Sequence, residues 1–421
     1  MSNENTGVFI PADILIPKNK YDMTKWAVIA CDQYTGEEEY WDKVRELTKG
    51  YPSAYNLMLP EVYLGASDES ERLTCISETM REYLDEGVFD EYKDALIYVE
   101  RTDSEGRVRK GLVGAVDLEE YDFSRDSHSK VRATEATIVE RIPPRIKLRE
   151  CACLEMPHIM LLIDDEKNTV IEEAGKEKNR YKKLYDFDLM QKGGSIKGWL
   201  LDEKAKAYVK DALEKLPHAD EKDALIFAVG DGNHSLATAK TYYENLKKAD
   251  LEGKATDAER EYIKYARYAL CEVVNLHSPA LEFEAIHRIV NGVDVDNLMA
   301  FLNEELGLKE EKQGEVISVS VKGTSTSYII TKPSHALTVG SLQNALDRYL
   351  NKNEGSIDYI HGEENVRKMS EKDGSVAFIL PDMKKEELFP SVKSAGALPR
   401  KTFSMGHADD KRFYLEARRI K

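Results

Sequence analysis

The chain has 421 residues, of which 42% are hydrophobic and 33% charged, and its formal net charge is −17. This amount of apolar material excludes wholesale disorder, and the length predicts two to three domains or one large composite domain. An acidic surface repels nucleic-acid backbones and anionic lipids, so we expect no nucleic-acid or membrane partner. The chain has no apolar stretch long enough for a membrane span, and five sparse cysteines favour a reducing cytoplasm over a disulfide framework.

Short apolar runs alternate with longer polar stretches, and this alternation predicts the secondary structure. Buried strands are predicted over residues 26–30, 95–100, 159–164 and 224–230. Helices are predicted over residues 37–48, 70–84, 203–216 and 236–248. Strands interleaved with helices favour a fold between α/β and α+β, built on a mixed sheet.

The chain is expected to divide near residue 275, into regions 1–275 and 276–421. The polar residues 251–261 are the best candidate for a linker. Beyond the boundary, the β-like runs 315–321 and 325–331 predict a hairpin, and residues 376–380 predict a further strand. The second region is therefore expected to be α+β.

The most informative segment lies between residues 223 and 248. The apolar run ending at Val229 leads into Gly-Asp-Gly-Asn-His-Ser, and a helix then begins with Leu236, Ala239, Tyr243 and Leu246 on one face. Free N–H groups at a helix start carry partial positive charge, and glycine allows a ligand to approach the backbone. This pattern predicts an anion site, typically for phosphate.

The residues of this predicted site have distinct expected roles. Asp231 is a candidate ligand for a magnesium ion that bridges phosphate oxygens. The backbone of Gly232 and the donors of Asn233, His234 and Ser235 are expected to bind the phosphate. The alternative is a tight turn in which Asn233 or Ser235 caps the helix and His234 is incidental. A Walker loop and a Rossmann fingerprint do not fit the glycine spacing.

The same segment carries a resemblance to known proteins. A strand followed by Asp-Gly-X-His and an alanine-containing helix resembles the phosphate-binding box of the ParB/sulfiredoxin-like superfamily, which includes free-serine kinases. Over almost its full length the chain further resembles the domain of unknown function 1015 family. The matching segments are Phe9–Ala12, Cys31–Thr35, Val131–Glu135, Gly230–Lys240, Ile286–Arg288 and Leu398–Lys401. The resemblance implies a ParB/sulfiredoxin-like nucleotide-binding core within residues 1–275, with ATP or ADP as the cofactor.

The box departs from the common pattern in its positive charge. Asn233 stands in place of its first histidine and Ser235 in place of its arginine, so another cation must neutralise the phosphate. Residues 131–150 and 400–421 contain more basic than acidic side chains. Because guanidinium groups bind phosphate bidentately, these segments supply the candidates Arg132, Arg141, Arg400 and Lys401. The alternative is a solvated basic tail and a surface loop around Pro143.

Three side chains are candidates for acid–base chemistry. Asp32 directly follows an apolar strand, where active-site residues of open sheets tend to lie. Glu135 is the second candidate, although it has the alternative of pairing with Arg132 or Arg141. His234 of the turn is the third. A zinc site is disfavoured, because Cys151 and Cys153 have unusual spacing and His158 stands alone.

These observations favour a nucleotide-dependent phosphotransferase that acts on a small hydroxylated metabolite. The superfamily resemblance makes free serine the most concrete substrate. Two alternatives stay open: a nucleotide-binding switch protein without a metabolite substrate, and a small phosphoester hydrolase. The expected partner is a small molecule, and self-association into a homo-oligomer is left open.

Overall fold

A computed structural model of the protein describes residues 7–137, 142–217 and 219–421, without the side chains of Pro144 and Asp409. The helices are α1 (Met23–Trp26), α2 (Glu38–Thr48), α3 (Glu69–Asp85), α4 (Ile142–Cys151), α5 (Ile171–Lys176), α6 (Glu203–Glu214), α7 (Asn233–Leu251), α8 (Asp257–Ala266), α9 (Val295–Leu306), α10 (Thr338–Leu350), α11 (Glu363–Met369) and α12 (Lys385–Ala395). The strands are β1 (Phe9–Ile10), β2 (Ala12–Pro17), β3 (Val28–Ile29), β4 (Phe89–Ala95), β5 (Ile97–Thr102), β6 (Val108–Asp117), β7 (Tyr121–Asp122), β8 (Val131–Ala133), β9 (Leu154–Glu155), β10 (Met160–Ile163), β11 (Lys182–Asp188), β12 (Ser195–Leu200), β13 (Phe227–Asp231), β14 (Tyr268–Asn275), β15 (Phe283–Asn291), β16 (Leu308–Glu310), β17 (Ile317–Val321), β18 (Thr324–Ile330), β19 (Ser356–His361), β20 (Ser375–Ile379), β21 (Phe403–Met405), β22 (Phe413–Tyr414) and β23 (Arg418–Arg419).

The described chain forms two compact units. The first contains the residues up to Ala133 together with Thr137–Leu281 and His407–Lys421, and the second contains Thr134–Ala136 and Glu282–Gly406. The main segment of the first unit ends at Leu281, and the division predicted from the sequence lies near residue 275. The sequence-based division places residues 407–421 in the second region, whereas in the structure these residues belong to the first unit.

A ten-stranded mixed sheet forms the centre of the first unit. Its order is β11-β12-β5-β6-β14-β10-β13-β8-β7, and β1 pairs with β6. The pairs β10–β14, β13–β8 and β7–β8 are parallel, whereas β10–β13 and the pairs on the β6 side are antiparallel. This topology confirms the expected fold class with a mixed sheet.

Helix α7 follows the sheet strand β13 and buries the face that its spacing predicts. Leu236, Ala239, Tyr243 and Leu246 are all buried, and they join the core cluster that includes residues of β10 and β14. Because β13 lies inside the sheet and α7 is anchored by this face, the turn between them has a fixed position.

Two connecting segments differ from expectation. The linker predicted at residues 251–261 is wrong, because α8 begins at Asp257 with a capping box formed by Thr256 and Glu259. Only Ala266 of α8 is buried, so a solvent-facing helix has the polar composition of a linker. The surface loop considered around Pro143 is instead the start of α4, where proline is tolerated because the first turn needs no N–H donor.

The second unit contains a seven-stranded antiparallel sheet. Its order is β16-β18-β17-β20-β15-β19, and β21 pairs with β15. Strands β17 and β18 form the predicted hairpin, and β20 matches the strand predicted at residues 376–380. Helices α9 and α10 contribute Leu298, Leu302 and Leu346 to its core. In neither unit does a described helix have the length and apolar character needed to cross a bilayer.

Candidate phosphate-binding site

The turn between β13 and α7 has the geometry of an anion site. Gly232 is the N-cap of α7 in a left-handed conformation, with φ 77° and ψ 26°, and no side chain that the structure describes caps the helix. A Cβ atom built on Gly232 would lie 2.9 Å from the Cα atom of Ile159. Glycine is therefore required here both for the backbone angle and for the close contact with Ile159, the residue that precedes β10.

The first backbone amides of α7 have no acceptor within the helix. The first intrahelical bond runs from the Leu236 amide to the Gly232 carbonyl at 2.9 Å. The amides of Asn233, His234 and Ser235 precede it, and these are the groups that carry the positive end of the helix dipole. The alternative in which Asn233 or Ser235 caps the helix is wrong, because the N-cap is Gly232 without a side-chain bond.

Asp231 stands beside these amides and faces a lysine from the end of the chain. Its Oδ1 atom accepts the Gly232 amide at 2.8 Å, and its Oδ2 atom lies 3.5 Å from the Nζ atom of Lys411. Their side chains are 15% and 13% exposed, so both charges are largely withdrawn from water. Lys411 thus brings positive charge to the turn. The sequence predicts such a cation, but the candidates it offers are Arg132, Arg141, Arg400 and Lys401.

Buried arginines hold the backbone around Lys411. Arg101 donates through Nη1 to the Lys411 carbonyl at 3.0 Å, and Arg109 donates through Nη1 to the Asp410 carbonyl at 3.0 Å. Burial lowers the pKa of Arg101 to about 9. Because both guanidinium groups are buried in the sheet, the lysine is presented from a rigid support.

His158 links the turn to strand β22. Its Nε2 atom lies 3.2 Å from the Ser235 hydroxyl, and its Nδ1 atom lies 2.8 Å from the Tyr414 hydroxyl. The Tyr414 hydroxyl also accepts the Cys31 amide at 3.3 Å, and burial raises the pKa of the phenol well above its ordinary value. Both ring nitrogens of His158 are therefore held by hydroxyl groups, one from Tyr414 and one from Ser235.

Asp32 lies within the electrostatic reach of this cluster. It follows β3, which pairs with β22 in the register Tyr414↔Val28. Its Oδ1 atom accepts a hydrogen bond from the side-chain Nε2 of Gln33 at 2.9 Å. Burial would raise the pKa of the Asp32 carboxyl, but His158, the Gln33 bond and Lys411 outweigh it and hold the pKa below its usual range. Asp32 is therefore ionised at neutral pH.

The oxygen atoms at the turn fit a magnesium ion. Mg²⁺ is commonly bound by one or two carboxylates together with substrate phosphates. Asp231 supplies a carboxylate, and the buried Oδ1 atom of Asn233 has no hydrogen-bond partner among the residues that the structure describes. Asp231 and Asn233 are therefore the residues of this turn that would hold such an ion.

Arg132 does not reach the turn, contrary to the sequence-based expectation. It is 2% exposed and donates to the Ser129 carbonyl at 2.8 Å and the Asp223 carboxylate at 2.8 Å. Asp223 precedes β13, whereas the turn follows β13. The guanidinium thus points to the opposite end of the strand, where it joins β8 to the segment before β13.

Three other predicted residues belong to the second unit. Glu135 and Leu398 form an isolated parallel β-bridge. The carbonyls of Arg400 and Lys401 accept hydrogen bonds from the guanidinium of Arg288 at 3.2 and 2.9 Å. The Arg400 side chain is bonded to the Tyr359 hydroxyl at 3.0 Å. Arg141 lies outside the described residues. The structure thus gathers Glu135, Arg400 and Lys401 in one unit and Asp32 with the turn in the other.

A cavity of about 170 Å³ adjoins the turn in the first unit. Ser235, Thr238 and His158 form part of its wall. Its apolar lining is formed by Leu57, Met58, Leu59, Leu64, Leu73, Met80, Leu148, Ala152, Leu154, Met156, Ile159, Leu270 and Ile420. The start of α7 therefore adjoins a pocket whose lining is mostly apolar and includes charged side chains such as Arg149 and Glu155.

His158, Lys411 and Tyr414 lie beside the turn but were not predicted from the sequence to do so. His158 was considered only as a zinc ligand, and Lys411 only as part of a basic tail. One signal was available: the apolar residues Phe413–Leu415 interrupt that tail, as expected for a buried strand and not for a solvated end.

A family model described as "Protein of unknown function (DUF1015)" matches residues 15–349. No curated protein matches the chain.

Among solved structures, the chain is similar to a mutant free serine kinase in complex with ADP, with 13% identity, a TM-score of 0.41 and coverage of 73% of this chain and 92% of that one. It is also similar to C-terminally truncated SbnI from Staphylococcus aureus, with 11% identity, a TM-score of 0.38 and coverage of 70% and 82%. A conserved hypothetical protein from Pyrococcus furiosus matches with 14% identity, a TM-score of 0.38 and coverage of 73% and 94%.

Proposed function

We propose that this chain, which belongs to the DUF1015 family of proteins of unknown function, is a nucleotide-dependent phosphotransferase for a small hydroxylated metabolite. The observation that carries the proposal is the uncapped start of α7 at Gly232, with Lys411 held 3.5 Å from Asp231. The backbone amides of a helix start and a cation at the same turn are suited to a polyphosphate. Free serine is the most concrete acceptor, and ATP or ADP is the donor.

The turn has the task of binding and neutralising the phosphates. The amides of Asn233, His234 and Ser235 donate to phosphate oxygens, and Lys411 supplies a compact positive charge. The imidazole of His234, in the first turn of α7, is a further donor. Asp231 and Asn233 would hold a magnesium ion, which supplies charge neutralisation on the transferred phosphoryl group when it is bound.

Asp32 has the task of receiving the proton of the acceptor. The hydroxyl oxygen of the metabolite attacks the terminal phosphorus, and the bond from that phosphorus to the bridging oxygen of the nucleotide breaks. The hydroxyl proton passes to the Asp32 carboxylate as the new oxygen–phosphorus bond forms. An ionised aspartate of low pKa is suited to orient the hydroxyl and to accept its proton late in the transfer, as in protein kinases.

The other predicted residues have smaller parts in this proposal. Glu135, Arg400 and Lys401 belong to the second unit, and Arg132 supports the sheet. A reaction that consumes a nucleotide agrees with the cytoplasmic location that the sparse cysteines predict.

The proposal is tested with purified full-length protein, magnesium, ATP or ADP, and L-serine within a panel of amino acids and small alcohols. Formation of a phosphoester, followed by ³¹P NMR, is the expected result. The matched pair of variants is Asp32→Asn, which should abolish transfer, and Asp90→Asn on the exposed face of β4, which should retain it.

Two other outcomes would replace the proposal. Binding of nucleotide without transfer to any member of the panel would favour a nucleotide-binding switch. Release of inorganic phosphate from phosphoserine in the absence of nucleotide would favour a phosphoester hydrolase.

A further inference from the structure

We propose that the cavity beside the turn binds the planar base of the nucleotide. This inference rests on the proposed function and adds the part of the ligand that the turn does not explain. Ser235 contributes its amide to the turn and also lines the cavity, and His158 lies between Ser235 and the cavity wall at Tyr414. One ligand with an anionic end and a planar end therefore fits both places.

The size and the walls of the cavity suit one ring system. Leucine and methionine side chains from the segment before α3, from α3 itself and from α4 form part of its lining, including Leu57, Met80 and Leu148. Its volume is about 170 Å³, close to the roughly 150 Å³ of an apolar engineered cavity that binds benzene. A flat ring buried among such side chains gains apolar contact on both faces.

The charges in the lining are already paired. Arg145 forms an ion pair with Glu61, and Arg149 pairs with Glu155 at 2.6 Å.

Glu69 accepts the Gly65 amide at 2.5 Å. With these charges engaged, the apolar side chains of the lining are available for contact with an uncharged ring.

One polar atom of the lining has no partner. The Nε atom of Arg149 is buried and has no hydrogen-bond acceptor among residues 7–137, 142–217 and 219–421. A buried donor without an acceptor costs free energy that a ligand acceptor recovers. The ring nitrogens and carbonyl oxygens of a nucleobase are acceptors of this kind.

The test compares ADP with inorganic pyrophosphate by titration calorimetry on the full-length protein in magnesium. Both occupy the turn, but only ADP has a base, so ADP is expected to bind about tenfold more tightly or better. Equal affinities would overturn the inference while leaving the phosphate site intact. Absence of binding by both ligands would overturn the proposed function as well.

Cavity-filling variants locate the base. Ala152→Phe should weaken ADP by about tenfold and leave pyrophosphate unchanged, because the added ring occupies the space of the base. Leu148→Trp, at the half-buried face of α4, is the second variant if Ala152→Phe does not fold. Ala212→Phe overpacks a buried position of α6 outside the cavity and should leave both affinities unchanged. Equal loss of ADP and pyrophosphate binding in the two cavity variants would overturn the inference.

Discussion

The ammonium group of Lys411 lies 3.5 Å from the carboxylate of Asp231, although the two residues belong to distant parts of the chain. The contact exists because β22 pairs with β3 and carries the C-terminal segment back onto the first unit. Positive charge at the turn thus depends on the end of the chain.

Replacing Lys411 with methionine should weaken ADP binding by about 10- to 100-fold, because a charge-assisted hydrogen bond contributes roughly 1.5–3 kcal/mol. Calorimetry measures the effect, and Lys248→Met, an exposed position near the end of α7, is the matched control. An unchanged affinity in Lys411→Met would show that the phosphate charge is neutralised elsewhere.

Gly232→Ala should reduce both stability and ADP affinity. The alanine would adopt a left-handed conformation, which costs about 1–2 kcal/mol, and its Cβ would also press on Ile159. Gly253, with φ 67° and no atom within 4 Å of a built Cβ, provides the comparison. Gly253→Ala carries the backbone strain alone, so urea unfolding should show the larger loss in Gly232→Ala, and only that variant should lose affinity. Equal losses of stability would mean that Ile159 moves away from the added Cβ at no cost in free energy.

Arg132→Met should destabilise the fold without changing the ADP affinity of the folded protein. It removes the bonds to Ser129 and Asp223 and should cost about 1–3 kcal/mol in the free energy of unfolding. Arg125→Met, at an exposed position, is expected to leave stability unchanged. A loss of ADP affinity in Arg132→Met without a loss of stability would show that this arginine contributes to ADP binding.

The lowered pKa of Asp32 predicts a pH dependence of stability. Its folded pKa lies below the unfolded value of about 3.9, so the carboxylate stabilises the fold above that value and this contribution is lost as pH falls through the folded pKa. Asp32→Asn should therefore be less stable than the wild type at pH 7, and the difference should shrink in acid. Urea unfolding from neutral to acid pH measures it. A difference that stays constant with pH would show that the charge of Asp32 is not stabilising.

Local patterns predicted the elements around the site. The apolar run before Gly230 predicted β13, and the spacing of Leu236, Ala239, Tyr243 and Leu246 predicted the buried face of α7. The same reasoning failed for α8, because a helix that buries only Ala266 has the composition of a linker.

The cation of the site could not be predicted in the same way. Arg132 and Lys411 are both basic residues in locally basic segments, and the residues adjacent to them do not show which end of β13 each one reaches. Arg132 is directed to the start of β13 by its bond to Asp223, whereas Lys411 is directed to the end of β13 by the pairing of β22 with β3.

By itself, the sequence determined the turn: an apolar strand, a glycine that accepts a left-handed backbone, and the start of a helix. These properties depend on neighbouring residues, and backbone sterics and hydrogen bonding act over that range. Only the tertiary structure decided that Lys411, His158 and Tyr414 meet the turn, because pairing between distant strands brings them there and a single sequence carries no local signal of such pairing.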